Sequence, residues 1–188
     1  VYIDDKDFFD NFISAKKLFL PHHDIKTEHH ADLTPIFSKH KIEKQVQTVY
    51  KRNINLPSGG NIVIDSTEAL VSIDVNSARS TKGSDIEETA LNTNIEAAIE
   101  ALTQLKLRDI GGLVVIDFID MMSVNSQKNV MRKVAEYAKK DKAKIQFARI
   151  SKFGLMELSR QKLKSSIIQN NYENCPTCDG TGQIKSLS

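Results

Sequence analysis

Two aspartates, each at the end of a short apolar run, could together perform metal-assisted phosphate chemistry. Asp74 follows the apolar residues 69–73 and precedes Asn76 by two positions, and Asp117 follows residues 113–116. Because side chains alternate along a strand, Asp74 and Asn76 are expected on one face. The two aspartates and Asn76 together form an all-oxygen ligand set, which suits Mg²⁺ or Mn²⁺ better than zinc. The set indicates phosphoryl transfer or phosphodiester cleavage; the alternative is that each aspartate only caps a helix or ends a strand.

A strand–helix–strand unit is the element that must position these aspartates. Residues 69–76 and 113–120 are rich in β-branched residues and bounded by turn residues, as buried strands are. The segment between them opens with two capping-box patterns, repeats apolar residues at helical intervals and ends at Gly111 and Gly112. We therefore predict a parallel strand pair, with ligands at its carboxyl edge. Residues 92–94, polar in mid-helix, are expected to face solvent; the alternative is that they face the site.

The rest of the chain predicts further helices and strands. On a continuing strand, Asp117 and Asp120 are expected to face opposite ways, since they are three residues apart. Asp120 or Ser123 is expected to start the next helix. Residues 62–64 should form a hairpin with the Asp74 strand. The other expected elements are a strand end at 2–3, helices over 7–20, 36–51 and 125–140, a strand over 145–150 and a short basic helix over 153–163.

Composition and charge describe an ordinary globular domain with one basic region. The 188 residues are 40% hydrophobic and 27% charged, and no apolar run approaches the ~20 residues of a membrane helix. Without a secretory signal, a cytoplasmic location is expected. The chain starts without Met inside an apparent strand, so we interpret it as a fragment. Residues 128–164 carry a net charge of +9 from twelve basic and three acidic residues; they form either a phosphate-binding surface or a solvated helix face.

Cysteine and histidine patterns add two metal hypotheses. Cys175 and Cys178 precede Gly180 and Gly182 in a metal-knuckle pattern, in which backbone N–H groups turn toward the sulfurs. No Cys or His follows them, so a second chain could supply the remaining ligands; the alternative is a redox Cys-x-x-Cys pair. Four histidines within residues 22–30 are either metal ligands or solvated loop residues.

Three long strings resemble the ribonuclease E/G family of bacterial endoribonucleases. They are GGNIVIDSTEALVSIDVNSARSTKGSDIEETALNTNIEAA from Gly59, LKLRDIGGLVVIDFIDM from Leu105 and CPTCDGTG from Cys175. The resemblance implies an α/β fold, in which a deoxyribonuclease-I-like catalytic subdomain over residues 56–171 has a mixed sheet with flanking helices. It also implies the C-terminal part of a ribonuclease-H-like subdomain over 1–55 and a zinc-link over 172–188.

The same resemblance implies an activity and its cofactors. The expected function is Mg²⁺-dependent cleavage of single-stranded RNA to 5′-phosphate and 3′-hydroxyl ends, in messenger RNA decay and in ribosomal and transfer RNA processing. Asp74 and Asp117 would hold the Mg²⁺, and Asn76 would orient Asp74 or the hydration shell. Cys175 and Cys178 would give two thiolates to a Zn²⁺ shared by two chains, making a homodimer that the full-length family builds into a tetramer.

Four basic residues are candidates for RNA binding. Arg79 and Lys82 follow the Asp74 strand directly, and Arg149 and Lys152 lie at or beyond the end of the predicted 145–150 strand. The alternative for Arg79 is an ion pair with a neighbouring carboxylate. Because the family's S1 and 5′-sensor domains are absent from these residues, a second function is open. The chain would then be an RNA-binding or assembly module, inactive alone and dimerised through the shared zinc.

Overall fold

The chain forms two compact units, Val1–Thr48 and Val49–Ser188. The computed structural model describes residues 1–78, 86–167, 173, 175–178, 180, 182 and 184. Arg79 and Lys82, predicted to bind phosphates, lie outside the described residues. The family subdomains that the sequence suggested over 1–55, 56–171 and 172–188 stay predictions.

The first unit contains a small parallel sheet and helices. Helix α1 begins after Asp5, whose carboxylate accepts a hydrogen bond from the Phe8 N–H at 2.6 Å. Strands β1 and β2 pair in parallel. The helix predicted over 36–51 is instead two helices, because the chain turns at Lys41, where φ is +54°. The elements are β1 (Tyr2–Ile3), α1 (Lys6–Phe19), β2 (Glu28–His29), α2 (Ile36–Lys39) and α3 (Ile42–Val49), whose last residue belongs to the second unit.

The second unit is built on a six-stranded mixed sheet. Its strands are β3 (Asn53–Asn55), β4 (Asn61–Ser66), β5 (Val71–Asn76), β6 (Gly112–Asp117), β7 (Ile145–Phe147) and β8 (Leu155–Arg160), in the order β3-β4-β5-β6-β8-β7. Strands β5 and β6 are parallel and every other neighbouring pair is antiparallel. The predicted β4–β5 hairpin and the predicted parallel pair are both confirmed.

Two helices cover one face of this sheet. They are α4 (Ile86–Leu107), which connects β5 to β6, and α5 (Val124–Ala138). Alternate residues of β5 and β6, such as Ile73 and Ile116, are fully buried and pack in one core with α4 alanines such as Ala98. The small alanine side chains let the helix backbone come close to the sheet. In the described residues, no helix is long and apolar enough to cross a membrane.

The basic helix predicted over residues 153–163 is wrong, because residues 155–160 form strand β8 between β6 and β7. Met156 and Leu158 are buried while Glu157 and Ser159 are exposed, which is the two-residue period of a strand. The backbone hydrogen bonds that β8 makes with β6 on one side and β7 on the other outweigh the helix propensity of Leu, Met and Glu.

Strand β8 ends in a buried arginine, Arg160, that is fully paired. Its Nε donates to Asp141 Oδ2 at 2.9 Å and its Nη1 donates to the Ile110 carbonyl at 2.9 Å. Burial alone raises the pKa of Asp141, but hydrogen bonds from Arg160 and from the Ala143 N–H outweigh burial and lower that pKa. The ion pair therefore fixes the end of β8 against the preceding loops.

Candidate active site

Asp74 and Asp117 are direct neighbours at the carboxyl edge of the parallel pair. Asp74 lies opposite Asp117 in the β5–β6 register, and both residues are exposed. The neighbouring strand β4 brings Asn61 opposite Asn76 at the same edge. The strand–helix–strand unit thus brings together the two carboxylates that lie 43 residues apart in the sequence.

Asn76 lies on the same face as Asp74 and contacts it. Its Nδ2 donates to Asp74 Oδ2 at 2.7 Å and lies 3.4 Å from Asn61 Oδ1. This is the arrangement that strand alternation predicted for residues 74 and 76. Because Asn76 is held by a neighbouring strand, it restricts the rotation of the Asp74 carboxylate.

Asp117 carries an electrostatic strain that a cation would relieve. Partial burial and the negative charges of Asp74 and Asp120 raise the pKa of Asp117. Two carboxylates that repel each other beside exposed polar oxygens fit Mg²⁺, which takes one or two protein carboxylates and completes its shell with water and substrate. Within the described ranges, no group of three or more His, Cys, Asp or Glu is arranged to hold a metal ion.

Asp120 also faces this edge, contrary to the prediction that Asp117 and Asp120 face opposite ways. The prediction assumed a continuing strand, but β6 ends at Asp117. A Cβ placed on Gly154 would lie 3.8 Å from Asp117 Oδ1 and 3.6 Å from Asp120 Oδ1. Both carboxylates therefore lie within van der Waals distance of the same position, whereas the tight contact of that Cβ would be with the Phe118 carbonyl oxygen, at 3.0 Å.

Helix α4 holds the segment after β6 through a buried asparagine, Asn94. Its Nδ2 donates to the Ile119 carbonyl at 2.8 Å, and the Ile119 N–H donates back to Asn94 Oδ1 at 3.0 Å. Asn94 is 0% exposed and Thr93 is 1% exposed, so the prediction that they face solvent is wrong, whereas Asn92 is exposed. Asn94 lies three residues after Leu91, on the apolar stripe, and that position is the signal that could have identified it.

A second polar side chain from α4, the carboxylate of Glu87, holds the start of α5. Glu87 accepts hydrogen bonds from the Met122 and Ser123 N–H groups at 2.9 and 3.1 Å. These bonds and one from Ser126 lower the pKa of Glu87. Ser123 itself caps α5, as predicted, by accepting from the Asn125 N–H at 3.2 Å. Both ends of the loop that carries Asp120 are therefore attached to structured elements.

Arg149 and Lys152 lie on the connection between β7 and β8, which reaches the same edge. Strand β8 begins at Leu155, which pairs with Asp117. Both basic side chains are exposed, and neither has an ion pair in the part of the chain that the structure describes. Elsewhere in the basic region, Glu136 pairs with Lys133 and Lys140 at 3.0 and 3.3 Å, so these two lysines are engaged by a carboxylate that the net charge of +9 already includes.

The cysteine pair has the features of a metal knuckle. The Gly182 N–H donates to Cys178 Sγ at 3.3 Å. Backbone N–H groups of Thr177 and Cys178 lower the pKa of Cys175, which favours the thiolate form that binds metals. Two thiolates supply half of a tetrahedral zinc shell.

The histidine-rich segment does not build a comparable site. His30 Nε2 lies 2.8 Å from the Thr34 carbonyl, within its own loop. His29 packs its ring against Phe9, with 5.3 Å between ring centroids. These contacts are those of packed side chains.

Comparison with known proteins identifies the class to which this fold and site belong. Residues 1–163 match the model of the Ribonuclease E/G family. The chain belongs to this family.

Individual relatives include both named branches of the family. The chain is 48% identical over 185 residues to ribonuclease E of Haemophilus influenzae (strain ATCC 51907 / DSM 11121 / KW20 / Rd), covering 98% of this chain and 20% of that protein. It is 54% identical over 151 residues to ribonuclease E of Escherichia coli (strain K12), covering 80% of this chain and 14% of that protein. It is 32% identical over 187 residues to ribonuclease G of the same strain, covering 100% of this chain and 38% of that protein. The chain thus spans well under half the length of these relatives.

Proposed function

We propose that this chain carries the catalytic site of an endoribonuclease that cleaves single-stranded RNA to 5′-phosphate and 3′-hydroxyl ends. The observation that carries the proposal is the register pair of Asp74 and Asp117 at the open edge of β5 and β6, in a chain of this family. By the same family argument, its substrates are messenger RNAs in decay and precursors of ribosomal and transfer RNA.

Each residue of the edge has a definable task in this proposal. Asp74 and Asp117 would hold Mg²⁺, which supplies Lewis-acid stabilisation of phosphate charge and activation of water. Asn76 fixes the Asp74 carboxylate by donating to Oδ2 at 2.7 Å, so the other oxygen keeps a defined direction. Asn94 and Glu87 hold the following segment, so that Asp117 does not shift when the RNA phosphate arrives.

Cleavage of a fluorescent single-stranded RNA tests the proposal directly. The wild-type chain should cut the RNA with Mg²⁺ and not with chelator, and Asp74→Asn and Asp117→Asn should each lose cleavage with unchanged circular dichroism. Glu157→Gln is the matched control, since Glu157 is an exposed carboxylate in β8 on the same sheet. Cleavage at the wild-type rate by either Asp variant contradicts the assignment.

We also propose that Cys175 and Cys178 share one Zn²⁺ with the same pair of a second chain. The hydrogen bond from the Gly182 N–H to Cys178 Sγ and the lowered pKa of Cys175 support this proposal. Zinc content measured together with mass in solution should give one zinc per two chains, and Cys175→Ser should lose both zinc and dimer. One zinc per chain in a monomer contradicts sharing.

A second candidate function, an RNA-binding or assembly module, is favoured by one observation. The chain spans 14–38% of the length of the relatives described above, so residues that grip RNA in a whole protein can lie elsewhere. RNA binding and zinc-linked dimerisation without any Mg²⁺-dependent cleavage would support this function over the nuclease.

A further inference from the structure

The turn between β7 and β8 is fixed rigidly beside the carboxylate edge. The Gly154 N–H donates to the Ser151 carbonyl at 3.1 Å, and the Ser151 N–H donates to the Leu155 carbonyl at 2.8 Å. The Ser151 hydroxyl accepts from the N–H groups of Phe153 and Leu155 at 3.2 and 3.3 Å. The Phe118 N–H, next to Asp117, donates to the Gly154 carbonyl at 3.2 Å. The exposed side chains of this turn are therefore held at a constant position relative to Asp117.

The turn displays an aromatic ring and a cation. Phe153 is 69% exposed, and Lys152 Nζ lies 4.9 Å from the centroid of its ring. A single exposed apolar residue is normal on a protein surface. Phe153 differs because its turn contacts the segment that carries both Asp117 and Asp120, and because Lys152 and Arg149 lie on the same connection.

We propose that Phe153 is a stacking platform for one nucleobase of the single-stranded RNA, with Lys152 and Arg149 contacting its phosphates. This inference rests on the proposed endoribonuclease function and adds a binding subsite to it. Without a bound cation the aspartates at this edge repel a phosphate backbone, so a nearby contact that does not depend on charge would strengthen RNA binding. An aromatic face supplies one for any base, because every base has a π-face. The exposed Lys152 provides a positive charge for the phosphates.

The absence of tryptophan from the chain permits a direct test. Phe153→Trp introduces a single tryptophan at the proposed platform, and Leu163→Trp introduces a single tryptophan beyond the opposite end of β8, where Leu163 is 47% exposed. Each variant is titrated, in chelator, with a single-stranded RNA oligomer and with an abasic oligomer of equal length. The expected result is quenching at position 153 by the RNA alone, with no quenching at position 163. No quenching at position 153, or equal quenching by the abasic oligomer, overturns the proposal.

Affinity gives an independent measurement. Phe153→Ala should raise the Kd for the RNA about five- to tenfold, the lower part of the range for a base stacked on an aromatic ring. Phe153→Tyr should stay within about twofold of wild type, and Leu163→Ala should have no effect. An unchanged Kd for Phe153→Ala overturns the subsite.

Cleavage with Mg²⁺, measured on the same variants, separates this inference from the proposed function. Cleavage by the wild-type chain without quenching at position 153 rejects the stacking platform alone. Quenching and the Kd effect without any cleavage support the platform and reject the nuclease assignment.

Discussion

Replacing Asn94 with alanine should destabilise the second unit and loosen the segment that carries Asp117. The side chain makes two reciprocal hydrogen bonds with the Ile119 backbone and is fully buried. Asn94→Ala removes the hydrogen-bond partners of both the Ile119 N–H and the Ile119 C=O at once. The Ile119 N–H and C=O then face a cavity about the size of an amide group.

The expected loss follows from these two backbone groups. A buried donor or acceptor left without a partner costs about 1–3 kcal/mol. Ile119 is half-buried, so water can reach part of its backbone and the lower values apply. We expect the free energy of unfolding to fall by about 2–4 kcal/mol.

Urea unfolding followed by circular dichroism measures this loss, and hydrogen exchange of the Ile119 amide localises it. Asn92→Ala is the matched control, because Asn92 is an exposed asparagine two positions away on the same helix. That variant should be unchanged or slightly more stable, since alanine favours helix. A loss below about 0.5 kcal/mol for Asn94→Ala, with unchanged exchange at Ile119, would show that the two hydrogen bonds do not hold this segment.

Two further changes test other parts of the second unit. Asp141→Asn should lower the free energy of unfolding by about 3 kcal/mol at pH 7 by leaving Arg160 buried without its partner charge. Because the pKa of Asp141 is lowered by folding, the pair stabilises above the ordinary carboxyl pKa and this benefit disappears as pH falls through the lowered pKa. The difference in urea unfolding should thus shrink at pH 3, and an equal difference at both pH values would contradict the linkage. Gly154→Ala combines left-handed backbone at φ +80° with a Cβ 3.0 Å from the Phe118 carbonyl oxygen, whereas Gly112→Ala has φ +101° and open space. Gly154→Ala should therefore lower the midpoint of thermal unfolding more than Gly112→Ala does. Equal decreases for the two variants would mean that the close approach to Phe118 is unimportant.

The central part of the site could be predicted because local pattern and fold agree there. The β-branched runs that end in Asp74 and Asp117 form strands, and the amphipathic helix between them forces their parallel pairing. Strand alternation was enough to place Asn76 beside Asp74. These inferences needed only periodicity and the rule that parallel strands present their carboxyl ends together.

Elements whose structure depends on distant partners could not be predicted in this way. Strand β8 is composed of good helix formers, and its strand conformation is imposed by β6 and β7 on its two sides. The polarity of Asn94 predicts exposure to solvent, but its partner is the backbone of Ile119, 25 residues away. Strand alternation places Asp120 on the wrong side, because the sequence does not locate the end of β6 to within three residues.

The parallel pairing of β5 with β6 has a consequence for the order of folding. Asp74 and Asp117 are 43 residues apart, and closing a loop of that length costs about 3 kcal/mol in chain entropy before any contact compensates for it. A hairpin such as β4–β5 can form early from local contacts, but the carboxylate pair requires docking of the whole of α4. During synthesis, a nascent chain that has reached residue 116 already contains the first hairpin and the crossover helix, yet it has no carboxylate pair. The pair of negative charges at this edge therefore forms late in folding and in a single step.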